Sequence, residues 1–170
     1  MWIFDATPLI YLAKVEQLSL VSQFDASCVI PQRVYTEVVE TGIEAGYPDA
    51  RRIEQRVENN IFTVHSVDDT ALFDRLCRNP KLSDADCAVL AYAFEHDEVA
   101  VMDETYGRDV AATEGVTTRG TAYLVLSLAD QQVIPVATAR TVIDEMVAEG
   151  WYCSPDIYAK LVQRLDSIAN

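Results

Sequence analysis

Four short stretches of this 170-residue chain put a carboxylate where chemistry could be done. Asp5 ends the apolar run Trp2-Ile3-Phe4 in WIFDATPLI, and Asp103 ends the run Val99 to Met102 in VAVMDETYGRDVA. Glu37 lies within IPQRVYTEVVETG, and Asp84 and Asp86 open LSDADCAVLAYAFE. Both runs that end in aspartate read as strands followed by a helix. In an open parallel sheet the carboxyl ends of the strands share one edge, and ligands bind in the crevice where the strand order reverses. If the two strands are neighbours, Asp5 and Asp103 face the same crevice. Carboxylates that converge without basic partners repel one another, and they are tolerated when protonated, well hydrated or neutralised by a cation. Oxygen donors without sulfur or imidazole suit Mg²⁺ or Mn²⁺. Such an ion activates water and neutralises charge on a phosphoryl group, which points to hydrolysis of phosphodiesters or phosphate esters.

The same residues have structural readings. An aspartate at the end of a strand also caps the next helix. Ser83 followed three residues later by Asp86 matches a capping box with Asp in place of Glu, and Asp84 and Asp86 both favour the positive end of the helix dipole. In the helix of Glu37 the apolar stripe is Val34, Tyr35, Val38 and Val39, which leaves Glu37 and Glu40 on another face with Arg33 and open to solvent. Caps and a site are compatible. If the acids do gather, an amide at Asp86 or Asp103 relieves repulsion, so without metal such variants are expected to be at least as stable as the parent.

Positioning these residues requires alternating elements. Strands are expected at Trp2 to Phe4, Cys28 to Ile30, Ile61 to Val64, Val99 to Met102 and Val116 to Thr118. Helices are expected at Pro8 to Val15, Leu18 to Phe24, Gln32 to Glu40, Pro48 to Val57, Asp69 to Cys77, Ser83 to Glu95, Tyr106 to Thr113 and Gly120 to Gln131. This alternation implies an α/β fold in three layers, with a central, mostly parallel sheet of about five strands covered on both faces. Residues 132–170 read as a C-terminal helical hairpin, with Gly150 stopping its first helix and Ser154-Pro155 opening the second. We read a single domain, with a core over 1–131 and the hairpin over 132–170.

Composition narrows the class. Half the residues are apolar, so a chain of this length can bury a sizeable core. No stretch reaches the roughly 18 apolar residues of a membrane span, and no basic region precedes a long apolar one at the N-terminus. A soluble, cytoplasmic protein with no membrane partner is expected. Cys28, Cys77, Cys87 and Cys153 form no CxxC pair, and His65 and His96 form no HxxxH, so buried free thiols are expected rather than a zinc site. The chain has 27 acidic and 13 basic residues, a net charge of -14, with only three lysines. Its acids are spread through periodic segments, unlike those of a disordered tail. A high-salt cytoplasm accounts for such a surface, the alternative being an ordinary acidic protein.

FDATPLI, IPQRVYTEV, LSDADCAVLAYA and VMDETYGRDVA, in this order, resemble the motifs of the PIN-domain family, the metal-dependent ribonucleases that include VapC-type toxins and RNA-processing enzymes. The resemblance covers about residues 1–131, and the hairpin resembles the extension of one PIN subgroup. It implies an acidic quartet of Asp5, Glu37, Asp86 and Asp103, in which Asp5, Asp86 and Asp103 hold one or two Mg²⁺ or Mn²⁺ ions and Glu37 completes the shell or positions water. Asp84 competes with Asp86 for the third place. Thr7, Glu104 and Arg108 are auxiliary candidates, Arg108 facing a substrate phosphate or an acid of the site. RNA contact is assigned to Arg33, Arg51, Arg52 and Arg56, which could equally be solvated arginines paired with Glu54 and Glu58. An endoribonuclease that leaves a 5′-phosphate is thus implied, with an antitoxin protein as a potential partner and a homodimer as the expected assembly. The rivals are an RNA-processing enzyme, a PIN fold that works chiefly by docking a protein, and a small-molecule phosphatase. Against the last, Asp5-Ala6-Thr7 lacks a DxDxT arrangement, and no lysine closes the cluster.

The charge reading is testable by itself. At about 1 M salt the screening length falls to about 3 Å, which removes most surface self-repulsion. The melting temperature should therefore rise from low to roughly molar KCl. A flat or falling curve removes the high-salt reading.

Overall fold

The structure, a computed structural model, describes residues 1–67 and 69–169. Five strands form one parallel sheet in the order β3-β2-β1-β4-β5: β1 (Trp2–Phe4), β2 (Cys28–Pro31), β3 (Phe62–His65), β4 (Val99–Val101) and β5 (Thr118–Arg119). The chain moves outward from β1 through β2 to β3 on one side, then returns to place β4 and β5 on the other. The order thus reverses at β1 and β4, as in other doubly wound sheets. Their register pairs Trp2 with Val99, Ile3 with Ala100 and Phe4 with Val101. The Asp5 amide continues this ladder by donating to the Val101 carbonyl at 3.0 Å. Asp5 and Asp103 therefore leave adjacent strands at the same edge.

The helices are α1 (Ala6–Lys14), α2 (Gln32–Tyr35), α3 (Gly42–Glu44), α4 (Pro48–Glu58), α5 (Ala71–Cys77), α6 (Asp84–His96), α7 (Thr105–Glu114), α8 (Thr121–Asp130), α9 (Val136–Ala148) and α10 (Pro155–Ala169). Among the described residues no helix is long and apolar enough to cross a membrane. Helix α1 begins two residues before the expected Pro8, which occupies its first turn, where the missing N–H has no helical partner to lose. Leu18–Gln23 is a 3-10 turn rather than an α-helix, and it aligns buried Leu18 and Val21 at the i, i+3 spacing that such a turn eclipses. Between α2 and α3, Thr36–Thr41 widens into a π-helical segment that carries Glu37. Helix α5 starts at Ala71 rather than Asp69, because the Thr70 hydroxyl caps it by accepting from the Phe73 amide at 3.2 Å. Strand β5 is shorter and later than Val116 to Thr118, and it is fixed by the Met102 amide donating to the Arg119 carbonyl.

Apolar β1 and β2 and the nearly all-apolar α6 fill the core: Ile3, Phe4, Ile30 and residues 87–91 are fully enclosed. Phe4 meets Phe62 edge to face at 5.2 Å, a geometry aromatic pairs favour. All four cysteines are free; Cys28 and Cys87 are buried as expected, whereas Cys77 and Cys153 are only half-buried. The C-terminal hairpin contributes Val142, Ile143, Met146 and Leu165 to the same apolar cluster. Its turn between α9 and α10 reaches the sheet edge, where the Tyr11 hydroxyl donates to the Gly150 carbonyl at 3.1 Å.

Candidate functional site

Asp5 has only 4% of its surface exposed, between β1 and the first turn of α1. Its side chain makes none of the usual N-cap hydrogen bonds to α1; only the Ala6 amide favours its charged form. Burial pushes its pKa up from 3.8 to about 7, and the charges of Asp86, Glu37 and Glu104 add to the rise. Three further acids thus lie near enough for their charges to act on the buried one. Among the described residues Asp5 has no ion pair with a basic side chain.

The position of Asp86 comes from its cap. The Ser83 amide donates to Asp86 Oδ2 at 2.8 Å and the Asp86 amide donates to Ser83 Oγ at 3.1 Å, the capping box expected from the sequence. This spends one face of the carboxylate and holds the side chain at the start of α6. Asp84, two residues earlier, is exposed and lies 3.8 Å from the Arg33 guanidinium. Of the two acids, Asp86 is the one whose charge acts on Asp5. Glu37 is brought in by the π-helical segment after α2, and partial burial together with the Asp86 charge pushes its pKa up.

Asp103 is held differently. Its Oδ1 accepts from the Thr121 amide at 2.7 Å, and its Oδ2 accepts from the Thr121 hydroxyl at 2.7 Å and from Trp151 Nε1 at 3.0 Å. It does cap a helix, but that helix is α8, whose first amide and positive dipole end it meets. Gly120 makes this approach possible, since a Cβ there would lie 3.1 Å from Asp103 Oδ1. Thr121 and Trp151 are the partners that sequence reasoning missed. A GT pair opening a helix was visible, but nothing in the sequence linked either residue to Asp103.

The auxiliary candidates divide. Thr7, Glu104 and Asp103 line one groove of about 380 Å³ with Tyr11, Thr105 and Trp151. Arg108 lines a second groove with Asp103 and Arg119. Of the arginines expected to meet RNA, Arg33 pairs with Asp69 at 2.8 Å and lies over Phe73, and Arg51 pairs with Glu54 at 3.0 Å. Arg52 donates to the Ala13 carbonyl and pairs with Glu16, and Arg56 lies beside it. Because α1 runs from Ala6, next to Asp5, to Lys14, Arg52 and Arg56 stand at its far end, away from Asp5. The histidines are occupied with Tyr92: His65 Nδ1 lies 2.8 Å from its hydroxyl and His96 Nδ1 lies 2.9 Å from its carbonyl.

Carboxylate oxygens without sulfur or imidazole fit a hard divalent cation, and a buried acid facing three others without a basic partner fits a positive ligand. Among the described residues no three acids stand close enough to enclose a metal ion. A cation at this edge would therefore be held by one or two carboxylates directly and by the others through water, as Mg²⁺ can be.

The three donors to Asp103 reverse the stability expectation drawn from repulsion alone. An amide in its place would turn an NH₂ toward the Thr121 amide or the Trp151 indole N–H, and a half-buried donor left without an acceptor costs up to about 1–3 kcal/mol. We expect Asp103→Asn to be less stable than the parent by about that amount in EDTA, and Trp151→Phe to lose about 1 kcal/mol through its single bond. Urea denaturation checks both, and an Asp103→Asn variant as stable as the parent would contradict the clamp.

The model of the PIN-domain family DUF3368 matches residues 1–167. A PilT N-terminus domain protein from the hyperthermophilic archaeon Sulfolobus solfataricus P2 superposes with a TM-score of 0.52 at 13% identity, covering 75% of this chain and 92% of that one. A domain of a functionally unknown protein from Methanocaldococcus jannaschii DSM 2661 gives a TM-score of 0.47 at 13% identity, covering 70% and 89%. No curated protein matches the chain. The likeness to the Sulfolobus protein concerns the fold alone. The family match spans the sheet, the acidic edge and the hairpin, and the chain belongs to the PIN-domain family.

Proposed function

We propose that the chain is a metal-dependent endoribonuclease that hydrolyses RNA phosphodiester bonds. PIN domains are typically metal-dependent nucleases. The observation that carries the reading here is Asp5, 4% exposed at the end of β1, acted on by the charges of Asp86, Glu37 and Glu104 and without a basic partner among the described residues. Asp5 and Asp86 would hold Mg²⁺ or Mn²⁺, and the lone pairs of Asp103 not spent on Thr121 and Trp151 would add to the charge that retains it. When bound, the ion supplies a water of lowered pKa and neutralises charge on the phosphate.

The remaining steps belong to side chains. Glu37 and Glu104 orient the attacking water by accepting its hydrogen bonds, and the raised pKa of Glu37 makes it a better base than an ordinary carboxylate. Water attacks phosphorus in line with the departing 3′-oxygen, which takes a proton, so the products carry a 5′-phosphate and a 3′-hydroxyl. Thr7 lines the groove in which the substrate strand is held beside Glu104. A protein that silenced such an enzyme would place a cationic side chain among these carboxylates, as an antitoxin would for a toxin. The acid-rich surface suits work at high salt, where shape and metal contacts must supply more of the RNA binding.

RNA cleavage should require Mn²⁺ or Mg²⁺, stop in EDTA, and fall at least about a hundredfold in Asp5→Asn, as removal of one strong electrostatic partner typically costs. A chromogenic phosphate monoester should not be turned over. Equal cleavage rates with EDTA and with Mn²⁺ would sink the proposal, and turnover of the monoester alone would move it to a phosphatase.

A further inference from the structure

The lone pairs of Asp103 are nearly all spent within the protein. A carboxylate has about four lone-pair sites. Oδ2 accepts from the Thr121 hydroxyl at 2.7 Å and from Trp151 Nε1 at 3.0 Å, which uses both of its sites. Oδ1 accepts from the Thr121 amide at 2.7 Å, which leaves it one. The fold fixes these donors. Thr121 is fully enclosed and Trp151 is 7% exposed. The Trp151 amide donates to the Met146 carbonyl at 2.9 Å, and the carbonyl of Gly150 before it accepts from the Tyr11 hydroxyl at 3.1 Å. Gly150 takes the left-handed backbone, with φ 98°, that this turn requires. If Asp103 turned Oδ2 toward a cation, the hydroxyl and the indole would be left as buried donors without an acceptor.

The two grooves beside Asp103 differ in charge. Arg108 and Arg119 line the one toward α10, which repels a cation, whereas Thr7 and Glu104 line the other. A cation added to one held by Asp5 and Asp86 would therefore lie on the Glu104 side of Asp103. Paired ions in hydrolytic sites stand about 3.5–4 Å apart. At that separation they repel strongly, and they need carboxylates that give a lone pair to each ion. Asp103 has none left on Oδ2 and one on Oδ1. Asp86 is restricted as well, because its Oδ2 accepts from the Ser83 amide at 2.8 Å.

We propose that Trp151 is a positioning residue that, together with Thr121, keeps Oδ2 of Asp103 from any metal and so limits the acidic edge to one divalent ion. Asp103 then acts on that ion by its charge, through water or through the one free site on Oδ1. The C-terminal hairpin thereby sets the metal count of a site built on the sheet. The inference rests on the metal-dependent reading above. Removing the indole N–H returns a lone pair to Oδ2 beside Glu104, and the edge can then take a second ion.

The test counts ions on the full chain. Metal-free protein is titrated with Mn²⁺, and bound ion is read from the loss of the EPR signal of free Mn²⁺. The parent should bind one Mn²⁺ per chain. Trp151→Phe, which keeps a ring in the same space, should bind a second at least about tenfold more tightly than any second ion on the parent, as expected when one charge-assisted bond no longer competes. Thr121→Val deletes the other donor to Oδ2 and should act likewise, whereas Thr121→Ser keeps the hydroxyl and should bind one. A role for Trp151 in packing alone would leave the count unchanged and would not be shared by Thr121→Val. Melting curves establish that each variant is folded. In cleavage assays the rate of the parent should rise hyperbolically with Mn²⁺ and that of Trp151→Phe cooperatively. Two ions on the parent, or one ion on both Trp151→Phe and Thr121→Val, overturns the proposal, and RNA cleavage by the same parent leaves the ribonuclease reading standing. One ion on the parent and two on the variants, without RNA cleavage, keeps the proposal and removes the ribonuclease reading. A parent that binds no Mn²⁺ ends both.

Discussion

A carboxylate buried to 4% exposure beside three other acids is the constraint on which this end of the molecule depends. Burial and like charge both disfavour ionised Asp5, so the folded chain holds a proton there that the unfolded chain releases near pH 4. Without a cation, stability therefore falls as pH rises from about 4 to about 7, by on the order of 4 kcal/mol for a difference of this size. Against the usual stability of a domain that is a large cost to carry for no return. A divalent cation at neutral pH removes it, so the same arrangement that weakens the empty protein favours metal binding.

The parallel pairing of β1 with β4 makes the arrangement possible, and the C-terminal hairpin completes it. Asp103 alone would be a fifth acid on a crowded edge. The amide and hydroxyl of Thr121 and the indole of Trp151 give it three donors, which tie α8 and the α9–α10 turn to the crevice. The hairpin is thereby part of the site wall, carrying Trp151 and Tyr152 to both grooves. A change in the hairpin should be felt at the acids.

Much of this was legible in the sequence because it is local. Each strand-ending aspartate sits beside its apolar run, and the capping box from Ser83 to Asp86 spans three residues. The burial of α6 followed from a helix apolar on every side. What was illegible depends on pairing at a distance. The donors to Asp103 lie 18 and 48 residues away, and only the folded register brings them together. Arg33, Arg51, Arg52 and Arg56 lie near Glu37 in sequence, yet α4 lies along α1 so that Arg52 meets its last turn rather than its first. The π-helical widening at Glu37 follows from no periodicity, since the segment Thr36–Thr41 is too short to show a period of its own.

The central claim is that Asp5 is a buried acid awaiting a metal, and direct titration of its carboxyl carbon by NMR tests it. In EDTA the Asp5 signal should titrate with a midpoint near 7. With Mg²⁺ bound, the cation favours the ionised form and the midpoint should fall well below the free-enzyme value. An Asp5 that titrates near 4 without metal, or whose midpoint does not move when Mg²⁺ is added, would contradict the account.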